Sequence, residues 1–285
     1  MSSAWLISTD ELAQNLANPR LRLFDTHVFL TPKPGGGYEV QSGQDSWRES
    51  HIPGASFIDV QTDLSDPDHR LRYMMPPDDF FVAAMSRLGV GAGHEVVLYN
   101  RGATWWATRI FFMLRAHGFD AVRVLDGGFD KWQQEGRPLQ SGATWYPPAT
   151  FRSGPRRAIF VGKDAVLHAV RSGEQLLVNA LAPEIFSGKI SSYGRPGRIA
   201  GSCNLPARDL LDPVTQVFLP PEQLRAKLGA AGLLGSKPVI SYCGGGISAT
   251  TDAFALLMSG REDVTIYDAS MNEWGPDPAL PMETG

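Results

Sequence analysis

Apolar runs of strand length recur along the chain, with longer stretches of helical spacing set between them. The runs VVLY and VRVL in the first half, and LLV, PVISY and VTIY in the second, are rich in Val, Leu, Ile and Tyr. Near-continuous apolar runs of this kind are expected of strands buried on both faces. The intervening TRIFFMLRAHG and TTDAFALLMSG carry apolar residues at helical intervals. Strand and helix in alternation predict an α/β fold, a mainly parallel sheet flanked by helices.

The pattern occurs twice. LRLFDTH, HIPGASFIDV, EVVLYNRGATWWATRIFFMLRAHG and VRVLDGGFDKW follow one another in the first half; LLVNAL, RIAGSCNLPARDLL, KPVISYCGGGISATTDAFALLMSG and VTIYDASMNEW replay that order in the second. From Asn100 to Asp126 is 26 residues and from Cys243 to Asp268 is 25, while Asp126 to Trp132 and Asp268 to Trp274 are both 6. Spacing conserved to within a residue identifies an internal duplication. A length of 285 residues suits two domains of ordinary size. The stretch from about residue 133 to 157 is rich in Pro, Gly, Ser and Thr and lacks either periodicity, as a linker would. The expected division is a domain over 1–140, a linker over 141–157 and a second domain over 158–285.

Composition narrows the function. With 43% hydrophobic and 20% charged residues the chain has the make-up of a folded globular protein. A net charge of -4 leaves no electrostatic footprint for nucleic acid. No run reaches the roughly 18 apolar residues a membrane span needs, and MSSAWLISTDELAQNL has no basic segment leading into a long apolar one. The expectation is a cytoplasmic protein with neither a nucleic-acid nor a membrane partner. The 2 cysteines, Cys203 and Cys243, make no disulfide framework and lack the paired spacing of a zinc site.

Cys243 is the candidate nucleophile. It ends the strand PVISY and is followed by Gly244, Gly245, Gly246, Ile247 and Ser248 before a helix starts near Ala249. Tandem glycines let successive N–H groups turn inward, and a helix N-terminus behind them adds partial positive charge. Both favour a thiolate, the form that attacks sulfur. Ser248 suits two roles, a loop donor or the cap of the following helix. The first copy has Asn100 where Cys243 stands, and only one glycine nearby, in YNRGATWW. Cys203 takes the place of Ser56 and reads as packing; Asp126 and Asp268, in both copies, read as turn residues that bond their own backbone.

HIPGA (51–55), LDGGFDKW (125–132), YCGGGISA (242–249) and YDASMNEW (267–274) together resemble the two-domain rhodanese-like sulfurtransferases, the thiosulfate and 3-mercaptopyruvate sulfurtransferases among them. The resemblance covers nearly the whole chain and implies tandem rhodanese-like domains, an inactive first copy, and an active site in the cleft between the two. It implies that Cys243 takes sulfur from a small anionic donor, thiosulfate or 3-mercaptopyruvate, and passes it to cyanide, a thiol or a thioredoxin-like protein. The amides of Gly244 to Ser248 would hold the persulfide, with neither cofactor nor metal. Some family positions differ here. Gly244 and Gly245 stand where thiosulfate-type members carry basic residues; Gly245 replaces the serine, and Tyr73 the histidine, of mercaptopyruvate-type members. NALAPEIFSG lacks the family's donor-binding arginines, so Arg195 is the nearest substitute, with Arg198 behind it holding a turn. His69, Trp105 and Trp106 are further candidates for the cleft. Two rival readings remain: a persulfide carrier with little small-molecule turnover, and a cysteine phosphatase. The phosphatase reading would need an arginine where Ala249 stands.

Overall fold

The computed structural model describes residues 4–33 and 38–285. Strands β1 (Leu6–Ile7), β2 (Leu21–Asp25), β3 (Val28–Pro32), β4 (Tyr38–Ser42), β5 (Ser56–Phe57), β6 (Glu95–Tyr99) and β7 (Val122–Leu125) belong to the first half. The second half contains β8 (Phe160–Val161), β9 (Leu176–Asn179), β10 (Arg198–Ile199), β11 (Cys203–Asn204), β12 (Val239–Tyr242), β13 (Val264–Tyr267) and β14 (Met282–Glu283). One five-stranded parallel sheet runs β1-β7-β6-β2-β5, and the other runs β8-β13-β12-β9-β11. Taken strand by strand, the two orders are the same. The first half adds the antiparallel hairpin β3–β4; the second adds the antiparallel pair β10–β14.

Repeated sequence makes repeated bonds. Trp132 and Trp274 each donate their indole N–H to a proline carbonyl, Pro138 at 2.9 Å and Pro281 at 3.0 Å. Tyr99 and Tyr242 each accept, on the hydroxyl, a backbone N–H from an equivalent position of the repeat, Ile52 at 3.3 Å and Ile199, in β10, at 3.1 Å. Buried polar atoms need partners, so these bonds fix each copy of the motif in one register.

The halves share a core. Helix Trp105–Ala116 of the first packs on helix Ala249–Met258 of the second, with Phe111 and Phe254 edge to face at 4.8 Å and Thr108 Oγ1 bonded to Thr250 Oγ1 at 2.7 Å. Two crossing bonds reinforce the contact. The Asp126 carboxylate accepts the Phe218 N–H at 2.9 Å, and the Asp268 carboxylate accepts the Met75 N–H at 2.8 Å. Each aspartate therefore reaches into the opposite half rather than bonding its own turn as its sequence context suggested. The local Asx bond gives way because the facing segment brings an otherwise unpaired N–H to a carboxylate at the interface. The connecting stretch is packed as well: Phe151 is buried against Phe81, and the Tyr146 hydroxyl bonds Leu23 N–H and Gly54 C=O. Among the described residues no helix is long and apolar enough to cross a membrane.

Candidate active site

Strand β12, central in its sheet and wholly buried, delivers Cys243 to the carboxyl end of the strands, where parallel sheets place their ligand sites. The thiol residue is 2% exposed. Its N–H donates to Ser270 Oγ at 3.0 Å and its C=O accepts the Met271 N–H at 3.1 Å; Gly244 C=O accepts the Asn272 N–H at 2.8 Å. Ser270 has a φ of 52°, a left-handed conformation costly for a residue with a side chain. Its hydroxyl, which also donates to Tyr267 C=O at 2.7 Å, holds it there.

The loop beyond the thiol leaves its donors open. Among the described residues, the N–H groups of Gly244, Gly245, Gly246, Ile247 and Ser248 meet no protein acceptor. Gly246 turns left-handed at a φ of 72°, and a Cβ there would stand 2.3 Å from Asp268 C=O. Helix Ala249–Met258 starts behind the loop. Ser248 sits at its N-cap, but its hydroxyl makes no capping bond. A row of free amides at a helix N-terminus is a site for an anion.

The equivalent turn of the first half is closed on itself. Asn100 donates its amide to Arg101 and Ala103 C=O and accepts the Ala107 N–H, while the Gly102 N–H goes to Asp130. The carbonyl of Asn100 is still met by Phe129 N–H at 3.1 Å, the same bond that Met271 makes to Cys243. One turn keeps the frame and fills it; the other leaves the frame empty around a thiol.

Cys243 borders a cavity of about 430 Å³ lined by both halves. Trp105, Trp106 and Tyr73 come from the first half and Tyr193, Asn272 and Arg208 from the second. A Cβ on Gly244 would stand 2.1 Å from the Tyr193 hydroxyl, and one on Gly245 would stand 2.8 Å from the Asn272 amide. A side chain at Gly244 would displace the Tyr193 ring, whereas at Gly245 only the end of the Asn272 side chain would have to move. Burial, with Cys243 and Tyr38 adding to it, pushes the Tyr193 hydroxyl well above its usual range. Burial raises Tyr73 to about 12, with Arg72 beside it pulling the other way. Both phenols stay protonated at neutral pH.

Arg109 is the support the sequence did not reveal. Fully buried and supplied by the first half, it bonds Gly246 C=O at 3.2 Å and Tyr73 C=O at 2.5 Å, pairs with Asp268 at 2.7 Å, and lies over the Phe160 ring. If the amides of a loop face inward, its carbonyls face outward into the core, and here a guanidinium receives one of them. Asp252, at the equivalent position of the second half, is also fully buried, and among the described residues neither carboxyl oxygen has a hydrogen-bond partner. Burial holds Asp252 well above the carboxylate range, with Cys243 and Asp209 contributing.

Several sequence expectations are relocated. Arg195, expected on the donor, instead donates to the carbonyls of Gly275, Leu280, Trp274 and Asp277 and does not line the cavity. Free carbonyls of the C-terminal segment consume its guanidinium. Arg198 bonds Gly285 C=O and pairs with Glu283, a structural role. His69 is exposed and does not line the cavity, whereas Tyr73, Trp105 and Trp106 do. Cys203 contacts Leu177 C=O at 3.5 Å, and burial raises its thiol to about 11. Among the described residues, no cluster of three or more His, Cys, Asp or Glu could hold a metal ion. The sequence held a signal for Arg109, a charge set among apolar residues in the middle of its helix. It held one for Ser270 and Asn272 too, which lie within a motif that occurs in both halves.

A thiol at the end of a parallel strand, followed by a run of amides that are free among the described residues and bordering a cavity lined by two duplicated α/β halves, fits a site for thiol-dependent group transfer. The model of the rhodanese-like domain matches residues 8–135 and 182–277, and the chain belongs to that family. The human 3-mercaptopyruvate sulfurtransferase is 32% identical over 278 residues, covering 94% of this chain and 91% of that protein. The sulfur carrier protein TtuD of Thermus thermophilus is 30% identical over 293 residues, covering 98% and 96%. Among solved structures, SseA from Escherichia coli, described as a 3-mercaptopyruvate sulfotransferase of rhodanese fold, superimposes with a TM-score of 0.82 at 28% identity, covering 93% of this chain and 98% of that one.

Proposed function

We propose that the chain is a sulfurtransferase that carries sulfane sulfur as a persulfide on Cys243, taken from an anionic donor of the thiosulfate or 3-mercaptopyruvate kind. The observation that carries this reading is the set of unpaired amides from Gly244 to Ser248 around a buried thiol. A persulfide has an anionic terminal sulfur, and amides aimed at it stabilise it without reorganisation. Cys243 attacks the donor's outer sulfur as a thiolate, and the donor's remainder departs with the bonding pair. A thiophilic acceptor such as cyanide, a thiol or a thioredoxin-like protein then takes the outer sulfur and frees the thiolate. In this reading residues 158–285 are catalytic, 141–157 connect, and 1–140 supply cavity wall and support without a nucleophile, since Asn100 closes the corresponding turn.

A phosphatase reading loses ground on geometry. Ala249 offers no guanidinium, and Arg109, which does reach the loop, is committed to two carbonyls and Asp268 beneath it. A carrier role is favoured by one observation, the 30% identity to a sulfur carrier protein. Intact mass separates the two. Incubation with thiosulfate or 3-mercaptopyruvate is expected to add one sulfur, roughly 32 Da, that cyanide removes and that Cys243→Ser never gains. Labelling only in the presence of a partner protein would support the carrier instead.

A further inference from the structure

A second cavity, of about 620 Å³, opens at the other end of the strands, where Gln175, Pro238 and Asp263 lead into β9, β12 and β13. Both halves line it, and its volume lies in the range, roughly 300–1,000 Å³, of pockets that hold small organic ligands. The two interface helices run from the catalytic cavity to this one. Helix Trp105–Ala116 brings Trp105 and Trp106 to the first and Phe112 and Arg115 to the second. Helix Ala249–Met258 starts behind the nucleophile loop and turns Leu257 into the second, where Trp5, Ile159 and Val264 complete an apolar wall.

The charges of this cavity are unevenly satisfied. Arg261 spends all of its nitrogens on Asp263 and on the carbonyls of Leu233, Gly235 and Lys237. Arg157 grips both oxygens of Asp120, at 2.5 and 2.6 Å. Arg115 makes a single bond, from Nε to Asp120 at 3.2 Å. Its guanidinium lies over the Trp5 ring at 4.4 Å and its side chain is only 11% exposed, yet among the described residues Nη1 and Nη2 have no acceptor. A guanidinium fixed along one edge and one face, with its terminal nitrogens free, presents the fork that fits a carboxylate. Two arginines around one aspartate leave a single net positive charge. Glu262, exposed and in no ion pair among the described residues, opposes a second negative charge on whatever binds.

We propose that this second cavity is a binding site for an organic monocarboxylate with an apolar body, separate from the site of the thiol. The carboxylate takes Nη1 and Nη2 of Arg115 as a bidentate pair, and the body lies among Phe112, Ile159, Leu257 and Val264. No covalent step is involved, and the site stands whether or not Cys243 carries sulfur. Because a bound acid touches both halves, it stabilises the folded chain in proportion to its occupancy.

The experiment is titration calorimetry on the full chain with octanoate, 1-octanol, acetate and octyl phosphate. Hydrogen bonds to a charged group are expected to set octanoate above 1-octanol by about 10-fold or more in affinity. The methylenes that acetate lacks are expected to set octanoate above it by about 100-fold or more. Arg115→Gln is expected to weaken octanoate by about tenfold or more, and Arg208→Gln, in the catalytic cavity, to leave its affinity unchanged. Since Arg115 also holds Asp120, a second variant tests the space alone: Ala158→Trp, at an exposed position of the cavity wall, is expected to block octanoate. Equal affinity for octanoate and 1-octanol in the parent would overturn the inference, as would octyl phosphate binding as tightly as octanoate or no binding of any of the four. Octanoate lost in Arg208→Gln and kept in Arg115→Gln would overturn it too, by seating the acid beside the thiol.

Discussion

Ser270 shows how much a single residue does around the thiol. It holds a left-handed backbone and spends its hydroxyl between Tyr267 C=O and Cys243 N–H. Replacement by Ala keeps the strain and leaves a buried N–H without a partner, a loss of about 1–3 kcal/mol. Replacement by Gly relieves the strain and still removes the hydroxyl. We expect both variants to form persulfide more slowly, with Ser270→Ala the less stable of the two in urea. Persulfide formation at the parent rate in Ser270→Gly would mean that the hydroxyl has no part in placing Cys243. The strand-to-helix setting of Cys243 was legible because its glycines and flanking runs are local features. Arg195 misled because a loop arginine near the expected site says nothing about which carbonyls will be left free elsewhere. Tyr193 was illegible for the same reason: it matters only because tertiary packing sets it against Gly244.

At the level of elements, the helix Trp105–Ala116 works on behalf of the opposite half. Its Arg109 gathers Gly246, Tyr73 and Asp268, and so joins the nucleophile loop to the cavity wall. Arg109→Met would leave Asp268 paired only through its bond to Met75 N–H, and breaking a buried ion pair on one side costs about 3–5 kcal/mol. The expected result is a lower denaturation midpoint and slower persulfide formation. Arg109→Lys should recover some stability but not the loop, since an ammonium cannot reproduce a planar fork. A midpoint equal to the parent's in Arg109→Met would show that the pair is not a support. The helix was readable from its apolar spacing and the sheet from its valine-rich runs. The hairpin β3–β4, which supplies Leu30 and Val40 to the cavity, went unread because it interrupts the repeat.

For the whole molecule, the duplication read from spacing is the sheet order seen twice, while the shared core could not be read, since neither copy alone shows which face it buries. Within that core the Asp252 carboxyl has no hydrogen-bond partner among the described residues. Burial raises its folded value above the unfolded one, so the folded chain keeps a proton that the unfolded chain releases. Its stabilising share is complete below the usual carboxylate range and is lost as pH climbs toward the folded value. Asp252→Asn is expected to gain in denaturation midpoint over the parent as pH goes from about 4 to about 8. A constant difference across that window would mean that this carboxyl does not govern the pH dependence.

The crossed pairing of Asp126 with Phe218 and Asp268 with Met75, with Arg109 between the halves, bears on how such a chain can change over time. A duplicated gene invites recombination at its midpoint, yet here a first half exchanged for that of a distant relative would arrive without the contacts that the second half's nucleophile loop leans on. The two halves are bound to one another through these contacts, and the half without a thiol supplies the support of the half that has one.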